Sequence, residues 1–332
     1  MQKLINRIAA GLLALPIAFA AASAHAETVL KLANFVPPAH VVNPSVVTPF
    51  AEAVKAQTNG DLTVQVYHSG ELGAGPTEQY VRVLNGVADI VWGVTGYTSS
   101  QFAKTMLMEL PGGFPDVGKG YEAFWRAYDS GDLKSEFPGT KPLAVWTAEP
   151  NIIIMRNKEI RTPADFKGLK IRVSGSVPGQ VLEALGAVPV QMGAAETYNA
   201  LQTGLIDGTV TGASAVNDFK FDEVANVFVT GPQLGSVSFY LVMSQAKYDS
   251  LSDTQKKAID DNSGPSLSAK GEAGWNERAT QTIERLKGTA GKTVIELTPE
   301  QSKAFDDITL ALRDKVIAQV GGEAAFKAMQ GN

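Results

Sequence analysis

The sequence predicts an α/β chain organised as two similar lobes. Runs of period two, the mark of strands, alternate with runs of helical period from Thr28 onward. About 300 residues follow an N-terminal leader, enough for two proper cores. Four residues also recur at one offset: Glu78, Tyr80, Gly86 and Asp89 are echoed by Glu196, Tyr198, Gly204 and Asp207. Each set runs along a helix, a glycine stop and a strand.

The leader reads as an export signal. Lys3 and Arg7 give it a basic start, Ile8 to Ala22 is apolar and small, and Ala24-His25-Ala26 fits the small-x-small cleavage pattern. The expected mature start is Glu27. An uncleaved membrane anchor is the alternative, but Pro16, the many alanines and the cleavage pattern argue against it. No later segment is apolar enough to span a bilayer, so the mature product is expected to be soluble.

The elements follow in order. Val29–Asn34 is a strand, and Pro44–Thr58 a helix with Val46, Phe50 and Val54 on one stripe, ended by Asn59-Gly60. Leu62–Tyr67 is a strand, Pro76–Asn85 a helix and Ala88–Trp92 a strand. Gly120–Ser130 is a helix whose Tyr121, Phe124, Trp125 and Tyr128 read as core. Strands follow at Pro142–Thr147 and Ile152–Arg156, then a short helix capped by Thr162 and Asp165 with Pro163 at its first position.

In Gly168-Leu-Lys-Ile-Arg-Val-Ser-Gly-Ser176, Ile171 and Val173 alternate with Lys170 and Arg172. This is a strand ended by Ser174-Gly175-Ser176 before a helix to Leu185. Val188–Gln191 is a strand and Ala195–Thr203 a helix stopped by Gly204. Strands come next near 206–211, 226–229 and 236–243. The remainder is expected to be mostly helical. Capping boxes open at Ser252 and Thr298, and a long helix with a break at Gly264-Pro265 lies between them. The second box starts a helix with Phe305, Ile308, Leu312 and Val316 on one face.

Composition excludes several classes. The leader holds Lys3 and Arg7 and no acid, so its removal takes the formal net charge from −5 to −7. There is no basic run, which speaks against nucleic acid. Cysteine is absent, so neither disulfides nor a zinc cluster of the usual kind can form, and only His40 and His68 follow the leader. No metal site and no cofactor is expected. There is no nucleophile-elbow motif; the nearest small-residue run is Gly212-Ala213-Ser214-Ala215. Gly113 to Lys119 fits the first part of a phosphate loop, but Gly120 stands where Ser or Thr is needed and Pro115 falls inside. The acid pairs Asp260-Asp261 and Asp306-Asp307 read as solvated helix faces. The chain is therefore not expected to be an enzyme.

Ligands of open α/β sheets bind beyond the carboxyl ends of strands. Arg172 lies at such an end, and its fork matches a carboxylate through two hydrogen bonds. A surface arginine, or one paired with an internal acid, is the alternative reading. The echo pairs the loop Trp92-Gly93-Val94-Thr95-Gly96-Tyr97 with the loop 209–214. Phe35, Trp92 and Tyr97 at the same rim are either core or a stacking wall. Glu149-Pro150-Asn151 is either a crossover turn or a polar hinge that touches ligand.

Three motifs carry a family resemblance. They are Gly168-Leu-Lys-Ile-Arg-Val173, then Leu185-Gly186-Ala187-x-Pro189-Val190, then Glu196-x-Tyr198-x-Ala200-Leu201-Gln202-x-Gly204-x-x-Asp207-Gly208. Leu72-Gly73 and Gly86-Val87-Ala88-Asp89 fit as well. The mature chain resembles the solute-binding proteins of tripartite ATP-independent periplasmic (TRAP) transporters along essentially its whole length. The resemblance implies a periplasmic binding protein-like fold: two α/β lobes with mixed sheets, connecting strands and a long helix spanning both. It implies capture of a small organic acid between the lobes in the periplasm, and delivery to a membrane permease. The expected division is 27–149 with about 238–277 for one lobe, and 150–237 with about 278–332 for the other.

The family's carboxylate-gripping arginine falls on Arg172 and a further contact on Thr211. First-lobe contacts fall near Phe35 and on the loop Gly93 to Tyr97. Trp92, Ser174, Glu149 and Asn151 complete the expected ligand set. A second arginine common in the family would fall at Ile152 and is absent here. The ligand is expected to be a monocarboxylate: a 2-oxo, hydroxy or aromatic acid. A periplasmic enzyme acting on organic acids, or a binding protein serving a sensor or an ATP-driven importer, are the rival readings.

Overall fold

The echo at a fixed offset turns out to be the scaffold of the fold. A computed structural model describes residues 27–73, 75–114 and 118–331. The expected leader, and residues 115–117 of the Gly113–Lys119 stretch, lie outside them. The strands among the described residues are β1 (Thr28–Ala33), β2 (Leu62–Tyr67), β3 (Ile90–Val94), β4 (Thr140–Thr147), β5 (Asn151–Met155), β6 (Lys170–Val173), β7 (Val188–Gln191), β8 (Gly208–Gly212), β9 (Val227–Thr230), β10 (Ser238–Ser244) and β11 (Thr293–Glu296). They form two sheets, ordered β2-β1-β3-β10-β4 and β11-β9-β5-β8-β6-β7.

Read from opposite edges, the sheets repeat one plan. β2, β1 and β3 run parallel, and β10 lies antiparallel beside β3. β7, β6 and β8 run parallel, and β5 lies antiparallel beside β8. The echoed aspartates perform the same task in each. Asp89 Oδ2 accepts the Lys31 N–H at 2.8 Å and Asp207 Oδ2 accepts the Lys170 N–H at 2.8 Å. Both join the start of the third strand of a unit to its first.

The chain passes between sheets at several places. β4 leads into β5, and β9 returns into β10. These two passages run side by side, with the Ala148 N–H on the Val237 carbonyl at 2.7 Å and the Asn151 N–H on the Gly235 carbonyl at 2.8 Å. The helix Pro265–Lys287 packs on β4 and reaches β11. Its Trp275 sits in the core of the first sheet, and its Ala279 and Leu286 in that of the second. Gly271 permits the close approach, since a Cβ there would lie 2.9 Å from the Trp146 ring.

Three expectations are corrected. The region between the two capping boxes is not helical throughout: after the break at Gly264 the helix ends at Lys287 and β11 follows, because Thr293–Glu296 pairs in parallel with β9. The helix expected at 76–85 is shorter, Gln79–Leu84. The last part of 278–332 does not stay with the second sheet. Val316, Phe326 and Met329 are buried among Phe124, Ala127 and Val145 of the first, because the apolar stripe of the helix Glu323–Met329 finds its partner on the helix Gly120–Asp129.

Candidate functional site

Strand alternation aims the first side chain. Ile171 and Val173 face the core of the second sheet, so Arg172 and Ser174 emerge on the other side. Arg172 is 2 % exposed and lines a cavity between the sheets, with about 490 Å3 of space partly open to solvent. Its guanidinium is steered by backbone: Nε and Nη2 donate to the Met192 carbonyl at 3.0 and 2.9 Å. Burial lowers its pKa, opposed by Tyr97, through its charge and a side-chain hydrogen bond, and then by Glu196. No ion pair among the described residues involves Arg172. Ser174 Oγ is buried at the same cavity without a hydrogen-bond partner.

The aromatic wall comes from the first sheet. Trp92 lies on β3 with its indole Nε1 donating to Asn34 Oδ1 at 2.8 Å. Phe35 stacks on it with ring centroids 4.4 Å apart at 16°. Phe239, Phe219 and Trp275 complete an aromatic lining. Tyr97 also lines the cavity, and its hydroxyl accepts the Ala194 N–H at 2.9 Å. Nearby, Gln191 Nε2 donates to the Gly96 carbonyl at 3.1 Å, and Ser99 Oγ accepts the Ser176 N–H at 3.2 Å. These bonds join the loop after β3 to the loops after β6 and β7, so the two halves meet over that rim.

Thus Phe35, Trp92, Tyr97, Arg172, Ser174 and Thr211 all line one cavity. Gly93, Glu149 and Asn151 are not among its lining. Gly93 points to the opposite face of β3, where a Cβ would overlap the Tyr240 hydroxyl. The period-two rule that exposes Trp92 to the cavity already turns its neighbour away. Asn151 is occupied by the crossover, donating from Nδ2 to the Leu234 carbonyl at 3.2 Å. Glu149 is buried behind Gly212, and its Oε1 accepts the Ser214 N–H at 2.7 Å. Burial pushes its carboxyl up to about 7, against the Ser214 hydrogen bonds.

Another polar group at the cavity was missed from the sequence. His40 and Asp218 both line it. Asp218 pairs through Oδ1 with Arg278 Nη1 at 2.7 Å, and its Oδ2 accepts the Val41 N–H at 3.4 Å. Burial pushes Asp218 up to about 6, with Arg278 opposing. Burial and then Arg278 hold His40 down at about 3, so the imidazole is neutral. His40 Nδ1 accepts the Val42 N–H at 3.1 Å, which leaves the ring proton on Nε2. His40 was visible as one of two mature histidines, but nothing local ties residues 40, 218 and 278 together.

The family model for DctP, bacterial extracellular solute-binding protein family 7, matches residues 32–319. The chain belongs to this family. These are the solute-binding proteins of TRAP transporters, so the resemblance carried by the motifs around Arg172 and Asp207 holds. The C4-dicarboxylate-binding periplasmic protein DctP of Rhodobacter capsulatus is 28% identical over 305 residues, covering 87% of this chain and 89% of the relative. Among solved structures, a marine-metagenome TRAP solute-binding protein specific for aromatic acid ligands, bound to metahydroxyphenylacetate, is 31% identical with a TM-score of 0.85. It covers 92% of this chain and 98% of its own. A TRAP solute-binding protein from Rhodoferax ferrireducens with copurified benzoate is 26% identical with a TM-score of 0.83, covering 92% and 97%. Among the described residues no helix is long and apolar enough to cross a membrane.

Proposed function

We propose that this TRAP solute-binding protein captures a small aromatic monocarboxylate in the periplasm, after leader cleavage near Ala26, and hands it to a membrane permease. The observation that carries the reading is Arg172. It is a cation 2 % exposed at the cavity, with no ion-pair partner among the described acids. A buried charge needs a counter-charge, and a ligand carboxylate supplies one in the geometry that a guanidinium favours. The aromatic lining suits a flat carbon skeleton. Ile152 stands where the family's second arginine would fall, which favours one carboxylate over two. The aromatic acids bound by the two solved relatives agree with this reading.

In the mechanism, the acid pairs with Arg172 and the Tyr97 loop closes over its skeleton. The ligand stabilises the closed form by binding it more tightly than the open one. Calorimetry on Arg172→Ala with benzoate and 3-hydroxybenzoate tests the anchor. Loss of a buried charge-assisted contact should weaken binding by about 2–5 kcal/mol, and unchanged affinity would discard the assignment. Prolonged incubation followed by mass spectrometry should return the acid unaltered; turnover would replace the binder by an enzyme. TRAP permease genes beside this one, rather than a sensor kinase or an ATPase, are expected.

A further inference from the structure

The aromatic part of the cavity ends in a donor and an acceptor set side by side. His40 Nε2 and Asp218 Oδ2 are 3.7 Å apart, too far for a direct hydrogen bond. The imidazole is neutral with its proton on Nε2, because Nδ1 takes the Val42 N–H. Asp218 Oδ1 is taken by Arg278, while Oδ2 has only the long contact from Val41 N. An oxygen placed between them accepts from Nε2–H and donates to Oδ2, and a hydroxyl is the substituent that does both. Trp92 and Phe219 have ring centroids 5.4 Å from that of His40, and Trp275 5.9 Å, so this pair is set within the aromatic wall. Met192, which holds the Arg172 guanidinium, and Arg278, Val41 and His40, which surround the Asp218 carboxylate, are separate sets of residues.

We propose that the acid taken here is a hydroxyaryl monocarboxylate, its hydroxyl bridging His40 Nε2–H and the Asp218 carboxylate while its carboxylate meets Arg172. This rests on the reading of Arg172 as the carboxylate anchor. The Arg278 guanidinium is already paired with Asp218 Oδ1, so a second carboxylate would meet an acid oxygen there rather than a free cation. His40 and Asp218 then select the ligand, and Arg172 retains it.

Calorimetry on the whole mature chain tests this with benzoate, phenylacetate, their 3- and 4-hydroxy derivatives and 3-methoxybenzoate. At least one hydroxylated acid should bind about 10-fold or more tightly than its bare parent, and the methoxy analogue, which cannot donate, should not share the gain. In Asp218→Asn the hydroxyl preference, taken as the ratio of each hydroxylated acid to its bare parent in the same variant, should shrink to about threefold or less. If that variant does not fold, His40→Phe, which keeps a ring and removes the N–H, must show the same loss of preference. Equal affinities for bare and hydroxylated acids overturn the inference and leave Arg172 standing as the anchor. A preference that persists in the folded variant also overturns it. Failure of the wild-type chain to bind any of these acids overturns the proposed function together with it.

Discussion

The Met192 carbonyl holds the Arg172 guanidinium by two of its N–H groups, at 3.0 Å from Nε and 2.9 Å from Nη2. One backbone oxygen on the loop after β7 thus sets the direction of the cavity's cation. A lysine cannot reproduce this, because an ammonium offers no planar fork to be clamped. Arg172→Lys should therefore keep a positive charge at the site and still weaken binding of the cognate acid, by about 2 kcal/mol. Titration calorimetry decides it, and wild-type affinity in the lysine variant would show that charge alone suffices.

Tyr97 ties the halves together. Its hydroxyl accepts the Ala194 N–H at 2.9 Å, and Tyr97 opposes the lowering of the Arg172 pKa by burial. Tyr97→Phe keeps the ring and removes the acceptor. We expect the affinity to fall by about five- to tenfold, since a single hydrogen bond contributes about 1 kcal/mol. The bound form should remain closed by small-angle scattering at saturating ligand. An unaltered dissociation constant would remove the hydroxyl from the closing mechanism.

Gly212 is a packing requirement. Any Cβ there would overlap the buried Glu149 carboxylate, which must otherwise accept the Ser214 N–H. Gly212→Ala should destabilise the fold by about 1–3 kcal/mol through overpacking. Urea unfolding measures it, and a change below about 0.5 kcal/mol would show that Glu149 relocates without strain.

Glu109 gives a pH dependence of defined sign. Burial pushes its carboxyl up to about 7, against hydrogen bonds from Ser238 and Thr95. A raised folded pKa means that its contribution to stability is complete below the unfolded value, near 4.5, and is lost as the pH rises through about 7. Glu109→Gln is neutral throughout and keeps an acceptor for Ser238 and Thr95. Between about pH 5 and about pH 8 the variant should lose less stability than the wild type, by about 2–3 kcal/mol. Parallel unfolding free energies at the two pH values would reject the assignment.

Much of the scaffold is written in short-range signals. The capping boxes at Ser252 and Thr298 both form, with Gln255 and Gln301 closing them. The recurrence of Asp89 and Asp207 anticipated two sheets with one plan, because the same strand-to-strand bond demands the same residue at the same spacing. The apolar stripe through Phe305 and Val316 is real, yet its two ends serve different cores: Phe305 belongs to the second sheet and Val316 to the first. Periodicity says that a face is buried and says nothing about what covers it.

The site divides along the same line. Local order alone placed an arginine and a serine on one side of a strand end, aromatics beside another, and a threonine near both, since backbone alternation decides which way a side chain points. Whether Arg172 meets a protein acid was left open by the sequence. Only the packing of the sheets shows that the Met192 carbonyl holds it, with no ion pair to it among the described residues. The same packing brings His40, Asp218 and Arg278 together from three distant stretches of chain. A hydrogen bond along a turn leaves a trace in neighbouring residues. A contact made between distant segments depends on packing that no short stretch contains, and the approach of His40 to Asp218 within the aromatic wall is of that second kind.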